Sequence, residues 1–150
     1  MTTTDDRPRS DHRVVVGIDG SPSSLEALAQ ATDQALRRGA VLEAVTTWEW
    51  PASYGWALQL PEGFDPAADA ATMLDGALEP VRRDHPELEI RTLVVEGTPA
   101  SVLVKASNGA DLLVVGSRGH GEFAGMLLGS VSQHCMTNAH CSVLVVRDRT

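Results

Sequence analysis

The sequence predicts a doubly wound α/β domain: a five-stranded parallel sheet of Rossmann-like type with helices on both faces. Three observations lead there. Short β-branched runs alternate regularly with helical segments, which is the order of parallel sheets built from right-handed crossovers. Two of the runs, Val14-Val15-Val16 and Leu112-Leu113-Val114-Val115, are apolar at consecutive positions, as central strands covered on both faces are. Helix starts repeat one device, a capping residue followed by proline, at Ser21-Pro22, Asp65-Pro66 and Thr98-Pro99. A chain of 150 residues, 43% of them hydrophobic, can bury one sufficient core without disulfide or metal.

Residues 1–12 are polar and aperiodic and read as a flexible tail before one domain over 13–150. The first strand ends on a polar residue, Asp19. After Ser21-Pro22 a helix follows, with Leu25, Leu28, Ala29, Thr32, Ala35 and Leu36 on one face and Gly39 as its stop. Ala40 to Trp48 forms the second strand. The loop from Glu49 to Phe64 opens with four of the six aromatic residues, Trp48, Trp50, Tyr54 and Trp56, which suit either a lid or a cover for one end of the sheet. The helix from Asp65-Pro66 to about Asp84 carries Ala70, Ala71, Leu74, Leu78 and Val81 as its stripe, and Pro80 is expected to kink it. Leu88 to Val95 is a third strand, and a helix runs from Thr98-Pro99 to Asn108-Gly109. Asp111 to Val115 is the fourth strand, Gly129-Ser130 to about Thr137 the last helix, and Ser142 to Arg147 the closing strand.

A formal charge of −8, with Lys105 the only lysine beside eleven arginines, disfavours nucleic acid and anionic membranes as partners. No run is long and apolar enough to span a bilayer, and the start lacks the apolar stretch of a signal peptide, so a cytoplasmic location is expected. Cys135 and Cys141 are expected to be reduced. His134, Cys135, His140 and Cys141 are all ligand types for zinc, but adjacent residues of a helix diverge, and histidines near a helix C-terminus already have an electrostatic role. No nucleophile elbow exists, and Ser130 has no evident base.

Standard phosphate loops fail one by one. There is no GxxxxGK[ST], and Gly17-Ile18-Asp19-Gly20 does not fit the dinucleotide fingerprint. What stands after the fourth strand is Gly116-Ser117-Arg118-Gly119, nine residues, then Gly129-Ser130. Glycines there allow left-handed angles and close approach, the first helical amides face the same space, and Ser130 can cap its helix or meet a phosphate. A helix dipole contributes about 0.3–1 kcal/mol at an exposed site. Micromolar binding needs about −8 kcal/mol, so several amides and a buried base must act together. Arg118 and His120 lie within the loop and could reach such a phosphate, although a solvated loop charge is the ordinary case.

The G-x2-G-x9-G-S spacing, with Val15-Val16-Gly17-Ile18-Asp19-Gly20-Ser21 at the start and Ser142-Val143-Leu144-Val145-Val146 at the end, resembles the universal stress protein family in its ATP-binding branch, from Arg13 to Arg147. That resemblance implies ribose and phosphate contacts at Gly116, Gly119, Gly129, Ser130 and Val131, mainly through the backbone. It implies Asp19 on the ribose or on a phosphate-bound divalent metal such as Mg, the Thr46 backbone on the adenine edge, and Gly17 beside the base. It also implies a homodimer joined through the last strand, Val143 to Val146, although Ser142 stands where the family commonly has proline. The function so implied is regulatory ATP binding in the stress response. No lysine clamp, water-positioning base or second-substrate motif is evident, so the reading leans against an enzyme, with weak ATP hydrolysis at most. The alternatives are a slow ATP hydrolase or nucleotide-transfer enzyme, a cyclic AMP-binding module, or a nucleotide-free dimeric interaction module.

Overall fold

The computed structural model describes residues 11–50, 61–119 and 128–148. The segment 1–10 of the expected tail, Tyr54, Trp56 and His120 lie outside the described residues. The elements are β1 (Arg13–Gly17), α1 (Pro22–Arg38), β2 (Val41–Trp48), α2 (Pro66–Asp84), β3 (Ile90–Glu96), α3 (Pro99–Ala106), β4 (Leu112–Gly116), α4 (Ser130–Asn138) and β5 (Val143–Val146). They form one sheet in the order β3-β2-β1-β4-β5 with every neighbouring pair parallel. The chain winds outward from β1 through β2 to β3, then crosses to β4 and β5 on the other side. The winding therefore reverses between β1 and β4, where ligand clefts of open α/β sheets form.

Both consecutive apolar runs occupy the centre of the sheet, with Val14, Val15, Val16, Leu113 and Val114 fully buried. Alternation sends their side chains into two cores. Val14, Val16, Leu42 and Ala44 pack with Ala27 and Ala31 of α1 and with Leu74 and Leu78 of α2. Val15, Val45, Leu113 and Val115 pack on the opposite face with Leu103 of α3 and Cys135 of α4.

Helix α1 departs from its expected stripe. Leu28, Thr32 and Ala35 are buried, but Leu25, Ala29 and Leu36 face outward and the seam is completed by Ser23, Ser24, Ala27 and Ala31. Small side chains win this face because the helix lies very close to the sheet. Leucine at those positions would hold it away.

The cap-plus-proline device works at two of three sites. Ser21 Oγ accepts the Ser24 N–H at 3.3 Å, and Asp65 Oδ1 accepts that of Ala68 at 3.1 Å. Thr98 holds the cap position of α3 with no side-chain bond, so only its backbone and Pro99 start that helix. Gly39 ends α1 in the left-handed conformation at φ 62°, where its N–H reaches back to the Leu36 and Ala35 carbonyls. Helix α2 runs through Pro80 as one element. Pro80 and the residue four back, Gly76, are both exposed, so the carbonyl that loses its partner faces water.

Below the second core lies a charged pair. Arg13 donates to Glu43 Oε2 at 2.7 Å, to the Ala106 carbonyl at 3.2 Å and to the Asn108 carbonyl at 2.8 Å. One guanidinium thereby neutralises a buried carboxylate on β2 and closes the end of α3. Removing one member of such a pair strands the other charge. Arg13→Met is expected to lower the unfolding free energy by about 3 kcal/mol in urea titrations, and Arg13→Met combined with Glu43→Leu to recover most of that loss.

Candidate functional site

At the carboxyl ends of β1, β2 and β4 lies a cleft with about 560 Å³ of unfilled space, open solvent included. Its apolar depth is made by Gly17 and Ile18, Val45, Val115, and Pro99 and Leu103 of α3. Its polar rim is made by Asp19, Ser21, Ser24, Ser117, Arg118 and Gly119, and the start of α4 adds Gly129, Val131 and Ser132. An apolar slot with hydrogen-bonding groups along one side suits a flat heterocycle carrying an anionic substituent.

Glycines shape this cleft, but not through unusual backbone angles. Positive φ occurs at Gly20, Gly39, Gly63, Gly97 and Gly109, whereas Gly116 and Gly119 have none and Gly129 lies in the extended region at φ −75°. The left-handed angles that glycine permits are thus not used at Gly116, Gly119 or Gly129. Gly116 is required for space: a Cβ there would stand 2.7 Å from the Ser23 carbonyl carbon and 2.9 Å from the Ser24 nitrogen. A Cβ on Gly17 would meet Leu103 Cδ1 at 2.7 Å, and one on Gly119 would meet Asp19 Oδ2 at 2.9 Å.

The turn after β1 is held by its own polar groups. Asp19 Oδ1 accepts the Ser21 N–H at 2.8 Å, and the Asp19 N–H donates to Ser24 Oγ at 3.3 Å. Asp19 thus does the turn work expected of an ordinary Asp-Gly-Ser segment, while its exposed carboxylate also lines the cleft.

On the opposite wall, the Ser117 carbonyl gathers the two ends of the glycine loop. It accepts the Gly129 N–H at 2.6 Å and Ser132 Oγ at 3.2 Å, while the Ser117 N–H donates to the Val146 carbonyl at 2.7 Å. Gly129, not Ser130, takes the cap position of α4, and no side chain caps that helix. The Gln133 N–H is the first to bond back, to the Gly129 carbonyl at 3.1 Å. The preceding amides, of Ser130, Val131 and Ser132, are the ones a helix leaves for an external acceptor.

Gly17, Asp19, Gly116, Gly119, Gly129 and Val131 thus come together at one cleft. Ser130 and Thr46 do not line it. Ser130 is exposed at the first helical position, and Thr46 is buried on the face shared with Ala44, while its neighbours Val45 and Thr47 face the cleft. Leu103, Pro99, Thr47 and Ser132 are lining residues that sequence reasoning missed; only the amphipathic face of α3 could have signalled Leu103. Trp48 and Trp50 stack edge to face at 5.5 Å, with Phe64 at 6.2 Å from Trp50, away from the cleft lining.

The zinc possibility finds no support among the described residues, where no group of three or more His, Cys, Asp or Glu is placed to hold a metal ion. His134 is exposed and the adjacent Cys135 fully buried. Both cysteines are free, and burial pushes the Cys135 thiol up to about 11. The Cys141 thiol is also raised, by burial foremost and by Asp111, against the opposing pull of Arg13 and a backbone hydrogen bond at Leu113. No described helix is long and apolar enough to cross a membrane.

A family model described as the universal stress protein family matches residues 12–147. The Mycobacterium tuberculosis protein named universal stress protein Rv2005c is 42% identical over 137 residues, which cover 89% of this chain and 45% of that protein. The chain spans about half the length of the curated relatives it matches. Among solved structures, a universal stress protein in complex with cAMP is 32% identical with a TM-score of 0.66, covering 91% of this chain and 97% of that one. An Arabidopsis thaliana family member with AMP bound shares the fold at 20% identity and a TM-score of 0.59, covering 93% of each chain.

Two outcomes follow from the site's packing and chemistry. Gly116→Ala drives a methyl group into the α1 backbone and is expected to cost about 1–3 kcal/mol of stability by urea denaturation. At pH 8, below its raised pKa and out of reach of solvent, Cys135 should resist iodoacetamide in the folded protein and react only after denaturation, as mass spectrometry of the alkylated peptide would report.

Proposed function

This chain belongs to the universal stress protein family, and on that premise we propose that it is an adenine-nucleotide-binding regulatory module whose ligand is ATP carried with Mg. The observation that carries this reading is the pairing, in one cleft, of an apolar slot between β1, β2 and α3 with the uncapped start of α4. The slot suits a purine. The amides of Ser130, Val131 and Ser132, the glycine backbone and the positive helix end suit the phosphates. Gly17 lies at the base end of the cleft and Gly119, Gly129 and Val131 at the phosphate end. Gly116 acts through the space it leaves to α1, and the backbone around Thr46 through its neighbours Val45 and Thr47.

Asp19 is the residue proposed to reach a ribose hydroxyl or the metal. Mg characteristically takes one or two carboxylates and completes its shell with water and substrate phosphates. One cleft carboxylate therefore fits a cation that arrives with the nucleotide. In this reading the role in the stress response is that of a sensor of nucleotide level, and two copies pair through the outer edge of β5, which among the described strands has β4 on its inner side alone.

A second reading, cyclic AMP as the ligand, is favoured by the relative solved in complex with that nucleotide. The base slot is common to both ligands, and the phosphate end separates them.

Calorimetric titration of ATP, AMP and cyclic AMP, together with mass identification of nucleotide released on denaturing the purified protein, tests the two readings. ATP bound more tightly with Mg present than without supports the first, cyclic AMP preferred over both others supports the second, and absence of binding by all three rejects both. Asp19→Asn keeps an acceptor for the Ser21 amide but removes the charge; it is expected to weaken ATP binding about tenfold and to abolish its dependence on Mg.

A further inference from the structure

Among the described residues, two charged side chains line the cleft, Asp19 and Arg118. Arg118 does not stand alone. Its Nη2 lies 3.5 Å from Asp148 Oδ1, and the two side chains, 33% and 13% exposed, line a smaller pocket beside the start of α1 with Ser21, Ser23 and Gly119. The juxtaposition is anchored by the backbone: the Ser117 N–H donates to the Val146 carbonyl at 2.7 Å, so the residues following β5 are held beside those following β4. A separation of 3.5 Å is long beside the 2.7–2.9 Å of a strong charge-assisted bond, which makes this an ion pair readily exchanged for a better acceptor.

Arg118 therefore faces two claims, a carboxylate behind the cleft and any anion within it. We propose that Asp148 sets the cleft's preference for phosphate number by competing with bound nucleotide for Arg118. This rests on the nucleotide-binding reading and adds a specificity-determining residue to it. With Arg118 held by Asp148, the rim carries the net negative charge of Asp19, and each added phosphate is disfavoured. With Arg118 released to the ligand, a polyphosphate gains an ion pair that a monophosphate, whose charge lies nearer the ribose, gains only in part. The single unit of charge on Asp148 thus weighs more against ATP than against AMP.

The experiment is calorimetric titration of ATP and of AMP, in EDTA at low salt, into the wild type, Asp148→Asn, Arg118→Gln and the double variant. Asparagine matches aspartate in shape and removes only its charge. Expected are a rise of about threefold in the ATP-over-AMP affinity ratio for Asp148→Asn, a fall for Arg118→Gln, and no effect of Asp148→Asn when Arg118 is already replaced. The rise should shrink as salt is raised to 0.5 M, which a packing role would not produce. An unchanged ratio in Asp148→Asn, or a rise that persists in the double variant, overturns the proposal while leaving the nucleotide reading intact. Failure of the wild type to bind either nucleotide rejects both.

Discussion

The cleft exists because α1 begins against bare backbone. At Gly116 the end of β4 meets the backbone of Ser23 and Ser24 with no room for a methyl group, and the seam continues along α1 through Ala27, Ala31 and Ala35. Close packing of this kind has little tolerance for added volume. It draws the turn Ile18 to Ser21 over the carboxyl end of the sheet and brings Asp19 within contact distance of Gly119. The reversal of winding between β1 and β4 opens a gap there in any doubly wound sheet; here the small residues of one helix decide how narrow the gap is and which polar groups stand at its rim.

The opposite wall depends on a single carbonyl. Ser117 accepts from Gly129 and from Ser132, so the two ends of the glycine segment meet at one point, and α4 starts with its first amides beside the cleft. Gly129 spends its own N–H on this closure, so in the proposed reading it places the helix rather than contacting the anion. The acidic surface makes such placement necessary. In a chain of net charge −8, long-range attraction is absent, and the proposed anion would depend on short-range dipoles and on Arg118, the cleft arginine among the described residues.

Buried polarity elsewhere follows a related economy. Arg13 serves Glu43 and two carbonyls near the end of α3, and Ser107, buried between α3 and α4, donates to the Val104 carbonyl and accepts the His140 N–H. Each ties a helix end to a strand or a neighbouring turn. Such ties keep α3 in place, and with it Leu103, which forms the apolar depth of the cleft and occupies the space that Gly17 leaves.

What was legible in the sequence was whatever local chemistry controls. Consecutive valines marked the strands with two covered faces, Ser-Pro and Asp-Pro marked helix starts, Gly39 marked a helix stop, and the spacing from Gly116 to Ser130 marked a strand-to-helix connection whose two ends line the cleft. Periodicity and cap chemistry act within a few residues, so one sequence suffices to read them. Other features belonged to the tertiary structure alone. The buried face of α1 was chosen by distance to the sheet rather than by hydrophobicity, so serines and alanines displaced Leu25 and Leu36. Whether a loop glycine serves a positive φ or a missing side chain depends on what lies opposite it, and Ser23 is far from Gly116 in the chain. The partners of Arg13 and Arg118 come from strands and turns that only the parallel sheet brings together. Contact across sequence separation has no local signature, and for that reason the charges around the cleft became readable only once the sheet had assembled.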